Sequence, residues 1–295
     1  MDATRTTAAG ALLAAATARL AGAGIGPARH EALLLLAAAS GHPRSRLLLD
    51  RHLALGPDVA GRFADLVERR RRRVPLQHLL GHWTFLDFEL RVDSRALVPR
   101  FETEELAAWA IGAARERGVR RAVDVGTGSG CLALALARAG VRVVAVDTSA
   151  AALSLARENV VRLGMTGRVA LVRGTLASAL APRSVGMIVA NLPYVAPGEL
   201  GRLEPEVRDH EPREALVAGR GGRALIESLI DEAPRVLGEG GELLIECDPR
   251  QVAPLRERLA GGSWHDVTVR RDLSGRPRMI RARRGERTAP DGTTG

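Results

Sequence analysis

The chain has 295 residues and a mass of 31.4 kDa, room for one large domain or two modest ones. Hydrophobic residues make up 46% and charged residues 26%, which excludes wholesale disorder, and the longest apolar run, Ala32–Ala39, is far too short for a membrane span. Two cysteines, Cys131 and Cys247, exclude a disulfide scaffold and lack the spacing of metal ligands, so no metal site is expected. A net charge of +9 would ordinarily point to a nucleic-acid partner. All 43 basic residues are arginine, however, which reads as a compositional bias of the genome and weakens that inference. The expectation is a cytoplasmic, monomeric protein without direct nucleic-acid or membrane contact.

In chain order, the first stretch imitates a signal peptide through Arg5, the apolar Ala8–Ala16 and the triplet Ala16-Thr17-Ala18. Leucines 12, 13 and 20 at helical spacing, and a basic region of one arginine beside Asp2, favour an ordinary helix. Residues 1–80 read as helices only, their apolar clusters separated by Gly24-Ile25-Gly26-Pro27, Gly41-His42-Pro43 and Gly56-Pro57. The five arginines Arg69–Arg73 carry two readings, a solvated helix end and a phosphate-contacting patch, and the first is favoured. Residues 81–100 read as a β-hairpin connector, from the spacing of Trp83, Phe85, Phe88, Leu90, Val92 and Leu97.

A strand–helix rhythm follows. Arg121–Val125, Arg142–Asp147, Val169–Val172, Gly186–Ala190 and Glu242–Glu246 read as strands, with helices at Leu132–Arg138, Ala150–Leu163 and Ala224–Val236. Asp266–Arg271 and Arg278–Ala282 read as a terminal antiparallel hairpin turning at Ser274-Gly275-Arg276-Pro277. The fold class is α/β, a mostly parallel seven-stranded sheet with helices on both faces. Residues 285–295 read as a polar, disordered tail.

Three constellations carry chemistry. Asp124-Val125-Gly126-Thr127-Gly128-Ser129-Gly130 turns a strand into a helix through three glycines, a backbone that a ligand can approach closely. The spacing differs from a dinucleotide fingerprint, and an acidic residue before the first glycine suits an ammonium group better than a pyrophosphate. Asp147 ends the next strand, 21 positions after Gly126, where its carboxylate can accept from ribose hydroxyls. The competing role for Asp147, capping the helix from Ala150, could equally fall to Thr148 or Ser149. Asn191-Leu192-Pro193-Tyr194 follows the fourth strand and contains the chain's one tyrosine. Asn191 Oδ1 and the Leu192 carbonyl can accept both hydrogens of a planar NH₂ group while Tyr194 stacks on its face. The Asp209-His210-Glu211 cluster reads as a surface or substrate-loop feature.

Together these residues resemble Class I S-adenosylmethionine-dependent methyltransferases that modify amino or amide nitrogen. The rest narrows the resemblance to the HemK/PrmC family of protein-(glutamine-N5) methyltransferases, from the N-terminal helices to about Ile280. Pro75–Gly81 with Phe85, Val98–Glu104, Glu206–Arg213, Leu243–Glu246 and Arg271–Arg276 carry it. The resemblance implies a Rossmann-like methyltransferase domain over residues 101–284 and an N-terminal domain that docks the substrate. It implies that Asp124, Gly126, Thr127, Gly128, Ser129, Gly130 and Asp147 hold S-adenosylmethionine, with S-adenosylhomocysteine as product. It further implies that Asn191 and Tyr194 are catalytic, and that Asn191, Leu192, Pro193 and Tyr194 bind the target glutamine with Asn191 also against the cofactor. The target would be the glutamine of a Gly-Gly-Gln loop in class 1 peptide chain release factors. Leu192 and Phe101 stand where family motifs have proline, and Gly174-Thr175-Leu176 lacks the usual acidic and aromatic residues beside adenine. An enzyme recruited to another amide or amine, an adenine methyltransferase and a non-catalytic binding protein are the competing readings.

Overall fold

The structure, a computed structural model, describes residues 6–285. Those residues fall into two compact units, one running to Trp83 and including Glu204–His210, the other Thr84–Leu203 with Glu211 onward. Most of the tail expected to be disordered lies outside the described residues.

The first unit is built on helices Ala9–Gly22, Ala28–Ser40, Arg44–Leu49, Pro57–Arg71 and Leu76–Leu80. Leu20, Leu35, Leu36, Leu47, Phe63 and Val67 fill its core. The expectation of helices only needs one correction: Thr7–Ala8 pairs antiparallel with Ala54–Leu55. Two residues per strand are too few to show an alternating pattern. The arginine run also departs from a simple solvated helix end. Arg70 turns inward, 5% exposed, and its guanidinium meets Glu31 at 2.5 Å and Glu206 at 2.8 Å. Arg73 meets Glu206 at 2.9 Å, Arg71 and Arg72 share Glu68, and Arg69 lies 3.9 Å from Asp65. Each of the five thus has a carboxylate partner, which sequence adjacency alone could not show.

The expected hairpin forms, His82–Phe85 against Phe88–Arg91, with the Phe85 and Phe88 rings edge to face at 5.7 Å. The second unit carries a seven-stranded sheet, numbered here along the chain as β1 (Arg121–Val125), β2 (Arg142–Asp147), β3 (Val169–Arg173), β4 (Val185–Ala190), β5 (Leu237–Glu246), β6 (Trp264–Arg271) and β7 (Pro277–Arg284). Their order is β6-β7-β5-β4-β1-β2-β3. β1 to β5 run parallel, and β7 is antiparallel to both neighbours. Valine-rich runs suit β1, β2 and β4 because the central strands are covered on both sides.

Helices not expected from the sequence include Phe101–Arg117 and Val252–Ala260, besides the short Pro205–His210 and Gly219–Gly222. The first buries mainly small residues, Ala107, Ala110, Ala113 and Ala114, beside Leu106 and Trp109, so its apolar stripe is weak in the sequence. The sheet order reverses between β1 and β4, so the connections leaving their carboxyl ends diverge. In open α/β sheets that divergence opens a crevice for a ligand. The register sets Val125 opposite both Val146 and Ala190, and Ala190 opposite Ile245. The ends of β1, β2, β4 and β5 are therefore level, and Gly126, Asp147, Asn191 and Glu246 emerge side by side.

Candidate active site

The turn after β1 is held from behind. Gly126 and Thr127 donate their N–H groups to the Val146 carbonyl at 2.8 and 3.0 Å, tying the turn to β2. Gly126 has φ +74, and a Cβ there would lie 2.9 Å from Leu192 Cδ2. That contact gives Leu192 a packing role: its side chain is buried and lies across the glycine. Asp124 is fully buried, and its Oδ2 accepts from Thr127 Oγ1 at 2.6 Å and from Ala133 N at 3.0 Å. Burial pushes its carboxyl up to about 7, against the hydrogen bonds from Thr127 and Ala133 and helped by the nearby charge of Asp147.

Asp147 sits in front. Its Oδ2 accepts from Gly128 N and its Oδ1 from Ser149 N, each at 2.9 Å. The cap of helix Ala150–Arg162 is Ser149, whose Oγ accepts from Ala152 N at 3.3 Å. Capping is therefore not the duty of Asp147.

Asn191-Leu192-Pro193-Tyr194 leaves β4 opposite this turn. Asn191 Nδ2 donates to Thr103 Oγ1 at 2.8 Å, and Thr103 Oγ1 donates to Glu246 Oε2 at 2.9 Å. Tyr194 Oη donates to the other Glu246 oxygen at 3.5 Å. Its ring packs against the core around β4 and β5. Behind the turn, Gln251 Nε2 donates to the Tyr194 and Gly221 carbonyls at 2.9 and 3.2 Å. Arg100 NH2 donates to both oxygens of Glu211 at 2.9 and 2.7 Å, which joins the segment before helix Phe101–Arg117 to the loop at Pro212.

These elements enclose a cavity of about 1000 Å³ including its open mouth. Gly126–Ser129, Asp147 and Asn191–Pro193 line it, together with Thr103 and the apolar Leu176 and Leu225. Asp124, Gly130 and Tyr194 are not on that lining. A Cβ at Gly130 would meet Ala156 Cβ at 3.4 Å and Leu134 Cδ1 at 3.5 Å, at the start of helix Cys131–Arg138. Thr103, Glu246, Gln251 and Gly222 were not singled out from the sequence for any role. Only Thr103 and Glu246 fell within the family-like segments, and nothing in those segments set them beside Asn191. Both cysteines are free and buried, and burial raises the Cys247 thiol to about 12. Among the described residues no group of three or more His, Cys, Asp or Glu is placed to hold a metal.

Glu246 is 1% exposed, and burial pushes its carboxyl up to about 7 despite the Thr103 hydrogen bond and the charge of Arg278. A carboxyl whose pKa is raised on folding stabilises the fold fully below its unfolded pKa and loses that contribution as pH rises through the folded one. Wild type is therefore expected to lose stability relative to Glu246→Gln as pH climbs from about 5 to about 8. Denaturant melts of both proteins at the two pH values check this, and a pH-independent difference would contradict it.

A release factor glutamine methyltransferase of Deinococcus radiodurans is 43% identical over 275 residues, which cover 92% of this chain and 97% of that protein. One from Mycolicibacterium smegmatis is 39% identical over 276 residues, covering 92% and 95%. The chain belongs to the release factor glutamine methyltransferase family. Residues 11–81 match its PrmC N-terminal domain, and residues 103–202 match a methyltransferase small domain. The ribosomal protein L11 methylase from Lactobacillus delbrueckii subsp. bulgaricus shares the fold, with a TM-score of 0.51 and 24% identity over 67% of this chain and 86% of its own.

S-adenosylmethionine, the methyl donor the family implies, fits the residues present. The molecule carries a cationic sulfonium and an ammonium group beside a ribose with two hydroxyls and a flat adenine ring. Asp147 brings a carboxylate to the wall whose described partners are backbone N–H groups, with no cation to neutralise it. Arg95, the cation on the lining, is spent on Asp93 at 2.7 Å and Glu158 at 2.7 Å. Gly128 presents bare backbone, since a Cβ there would meet only Ala96 Cβ at 3.8 Å. Leu176 and Leu225 supply apolar wall.

Proposed function

We propose that this chain transfers the methyl group of S-adenosylmethionine to the side-chain amide nitrogen of a glutamine, that of the Gly-Gly-Gln loop in class 1 peptide chain release factors. The observation that carries the reading is Asn191: it stands on the cavity wall beside the glycine turn, with its Nδ2 engaged by Thr103. No described donor is bonded to its Oδ1. The names borne by the relatives, up to 43% identical, supply the substrate class.

An amide nitrogen is a poor nucleophile because its lone pair is delocalised into the carbonyl. Asn191 Oδ1 and the Leu192 carbonyl are the acceptors for its two N–H groups. Accepting both would hold the nitrogen in place, raise its electron density and turn it toward the glycine turn. The cofactor supplies an electrophilic methyl group on a sulfonium centre. Methyl transfer leaves the nitrogen cationic and its N–H strongly acidic, so one of the two hydrogens held by these acceptors leaves to solvent as a proton without a dedicated base. Gly126–Ser129 and Asp147 bind the cofactor, and Asp124 positions their turn through Thr127 and Ala133. Tyr194, with its ring packed in the core and its hydroxyl on Glu246, stands off the cavity lining and braces the end of the same turn, in place of the stacking contact expected from the sequence.

Residues 1–80 serve as the substrate-docking module, and residues 81–100 as the connector to the catalytic domain over 101–284. The reading carries with it the expectation of a cytoplasmic monomer, in line with a release factor as substrate. Its arginine run is paired with carboxylates of its own unit, which supports a protein partner over direct nucleic-acid binding. Among the described residues no helix is long and apolar enough to cross a membrane.

The deciding experiment is transfer of labelled methyl from S-adenosylmethionine to purified release factors and to their Gln→Ala variants in the Gly-Gly-Gln loop. Label that vanishes with the glutamine supports the reading. Label that persists, or never appears while the cofactor binds, overturns it in favour of another amide. Asp147→Ala is expected to weaken cofactor binding by about 1–3 kcal/mol, the loss of charge-assisted hydrogen bonds. Calorimetry reads this directly, and unchanged affinity would remove Asp147 from the site.

A further inference from the structure

We propose that Thr103 and Glu246 form a positioning relay that decides which end of the Asn191 side-chain amide faces the substrate. The inference deepens the reading above and rests on it for its catalytic consequence. The two ends of an asparagine amide are nearly equal in shape, so packing does little to choose between them. Only hydrogen bonding can. With Oδ1 toward the substrate, the site accepts from an amide NH₂. With Nδ2 there, two donors would oppose each other.

The choice is made three groups deep. A threonine hydroxyl has one hydrogen to give and two lone pairs to accept with. Glu246, whose carboxyl burial raises to about 7, can only accept once ionised above that pH. The 2.9 Å contact between Thr103 Oγ1 and Glu246 Oε2 therefore commits the threonine's single hydrogen to the carboxylate. What Thr103 can offer Asn191 across 2.8 Å is a lone pair, and only Nδ2 can satisfy it. Oδ1 is thereby turned away from Thr103 and kept as an acceptor.

The three residues come from separate elements. Thr103 lies in the first turn of helix Phe101–Arg117, Asn191 follows β4 and Glu246 ends β5. The pairing of Ala190 with Ile245 sets Asn191 and Glu246 level across neighbouring strands. Thr103 is 3% exposed and Glu246 1%, so solvent offers no ready substitute for either partner. Tyr194 Oη on the second Glu246 oxygen ties the same carboxylate to the far end of the Asn191–Tyr194 turn.

Neither residue is assigned contact with the substrate amide or the methyl group, so their effect should reach turnover through Asn191. Thr103→Val keeps the branched shape and removes the hydroxyl; Thr103→Ser keeps the hydroxyl and removes a methyl. The expected result for Thr103→Val is a fall in kcat of about 30-fold with cofactor Kd within about threefold of wild type, the signature of an interaction realised in the transition state. Thr103→Ser should return kcat to within about threefold of wild type. A second readout is independent of turnover. The chain has two asparagines, Asn159 and Asn191, so protein labelled with ¹⁵N-asparagine shows two side-chain NH₂ groups. Asn159 Nδ2 donates to the Arg91 and Ser129 carbonyls at 3.0 and 2.9 Å and serves as an internal reference. In Thr103→Val the Asn191 resonances should move to free-amide positions and lose exchange protection while those of Asn159 stay.

Wild-type kcat in Thr103→Val, equal impairment of Val and Ser variants, or unmoved Asn191 resonances would each overturn the proposal. Should Thr103→Val fail to fold, shown by loss of the Asn159 signals, Glu246→Gln decides. Its amide can donate to Thr103 as well as accept, so a split or shifted Asn191 signal and reduced kcat are expected. Unchanged values of both overturn the relay. A wild-type enzyme that labels no release factor would sink the proposed substrate instead, and the resonance measurement would still decide the relay.

Discussion

Asn191→Ala is expected to lower kcat by about 10²–10³-fold, the usual loss when one preorganised hydrogen-bond partner of the reacting group is removed. The substitution deletes Oδ1, the acceptor assigned to the substrate amide, and leaves a Thr103 lone pair unpaired. Gly126–Ser129 and Asp147, which are held by Val146, Ser149 and one another, do not depend on it. Cofactor affinity should therefore stay within a few fold. Single-turnover methylation together with calorimetry separates the two effects. An active variant would remove the amide clamp from the mechanism, and a large loss of affinity would make Asn191 mainly a cofactor ligand.

Gly222→Ala should damage the same site without touching any residue on the cavity lining. A Cβ at Gly222 would lie 2.0 Å from the Tyr194 carbonyl oxygen, 2.7 Å from its carbonyl carbon and 2.7 Å from Gln251 Nε2. Two of these atoms are backbone, so no rotamer change relieves the contact. The φ of +85 adds the strain of a left-handed conformation. Either the Asn191–Tyr194 turn shifts or the segment around Gly222 is expelled, and in both cases Gln251 loses its grip on the Tyr194 carbonyl. A loss of about 3 kcal/mol or more in stability is expected, with kcat falling at least as far as in Asn191→Ala. Gly221→Ala is the matched control. It too has positive φ, +64, but a Cβ there meets nothing within 4 Å, so only about 1 kcal/mol of backbone strain is expected. Equal melting curves and equal turnover for the two variants would show that the Tyr194 contact does not matter.

The sequence itself determined the elements that local chemistry specifies. Valine-rich runs of strand length marked β1, β2 and β4, because a covered parallel strand must be apolar on both faces. Gly126, Gly128 and Gly130 marked a turn with bare backbone, and Asp147 marked the end of the neighbouring strand at the spacing a βαβ unit imposes. Asn191-Leu192-Pro193-Tyr194 was legible as an amide clamp, since an amide, a stiffened turn and an aromatic ring in sequence carry their chemistry with them. Resemblance to a family then supplied the substrate.

The tertiary structure decided which partners those residues have. Thr103, Asn191 and Glu246 lie 88 and 143 residues apart along the relay, so no local periodicity could join them. They meet because β4 and β5 pair in a register that sets Ala190 opposite Ile245, and because helix Phe101–Arg117 packs beside them. The same reason moved Asp124 from the expected ligand shell to a buttress behind it: its position on β1 points its carboxylate at Thr127 and Ala133. It also turned Arg70 of an apparently solvated run inward onto Glu31 and Glu206, one of them from a segment more than a hundred residues downstream. Local sequence sets conformation through steric limits and burial pattern. A hydrogen bond between distant residues is set by strand register and packing, which exist only once the chain has folded.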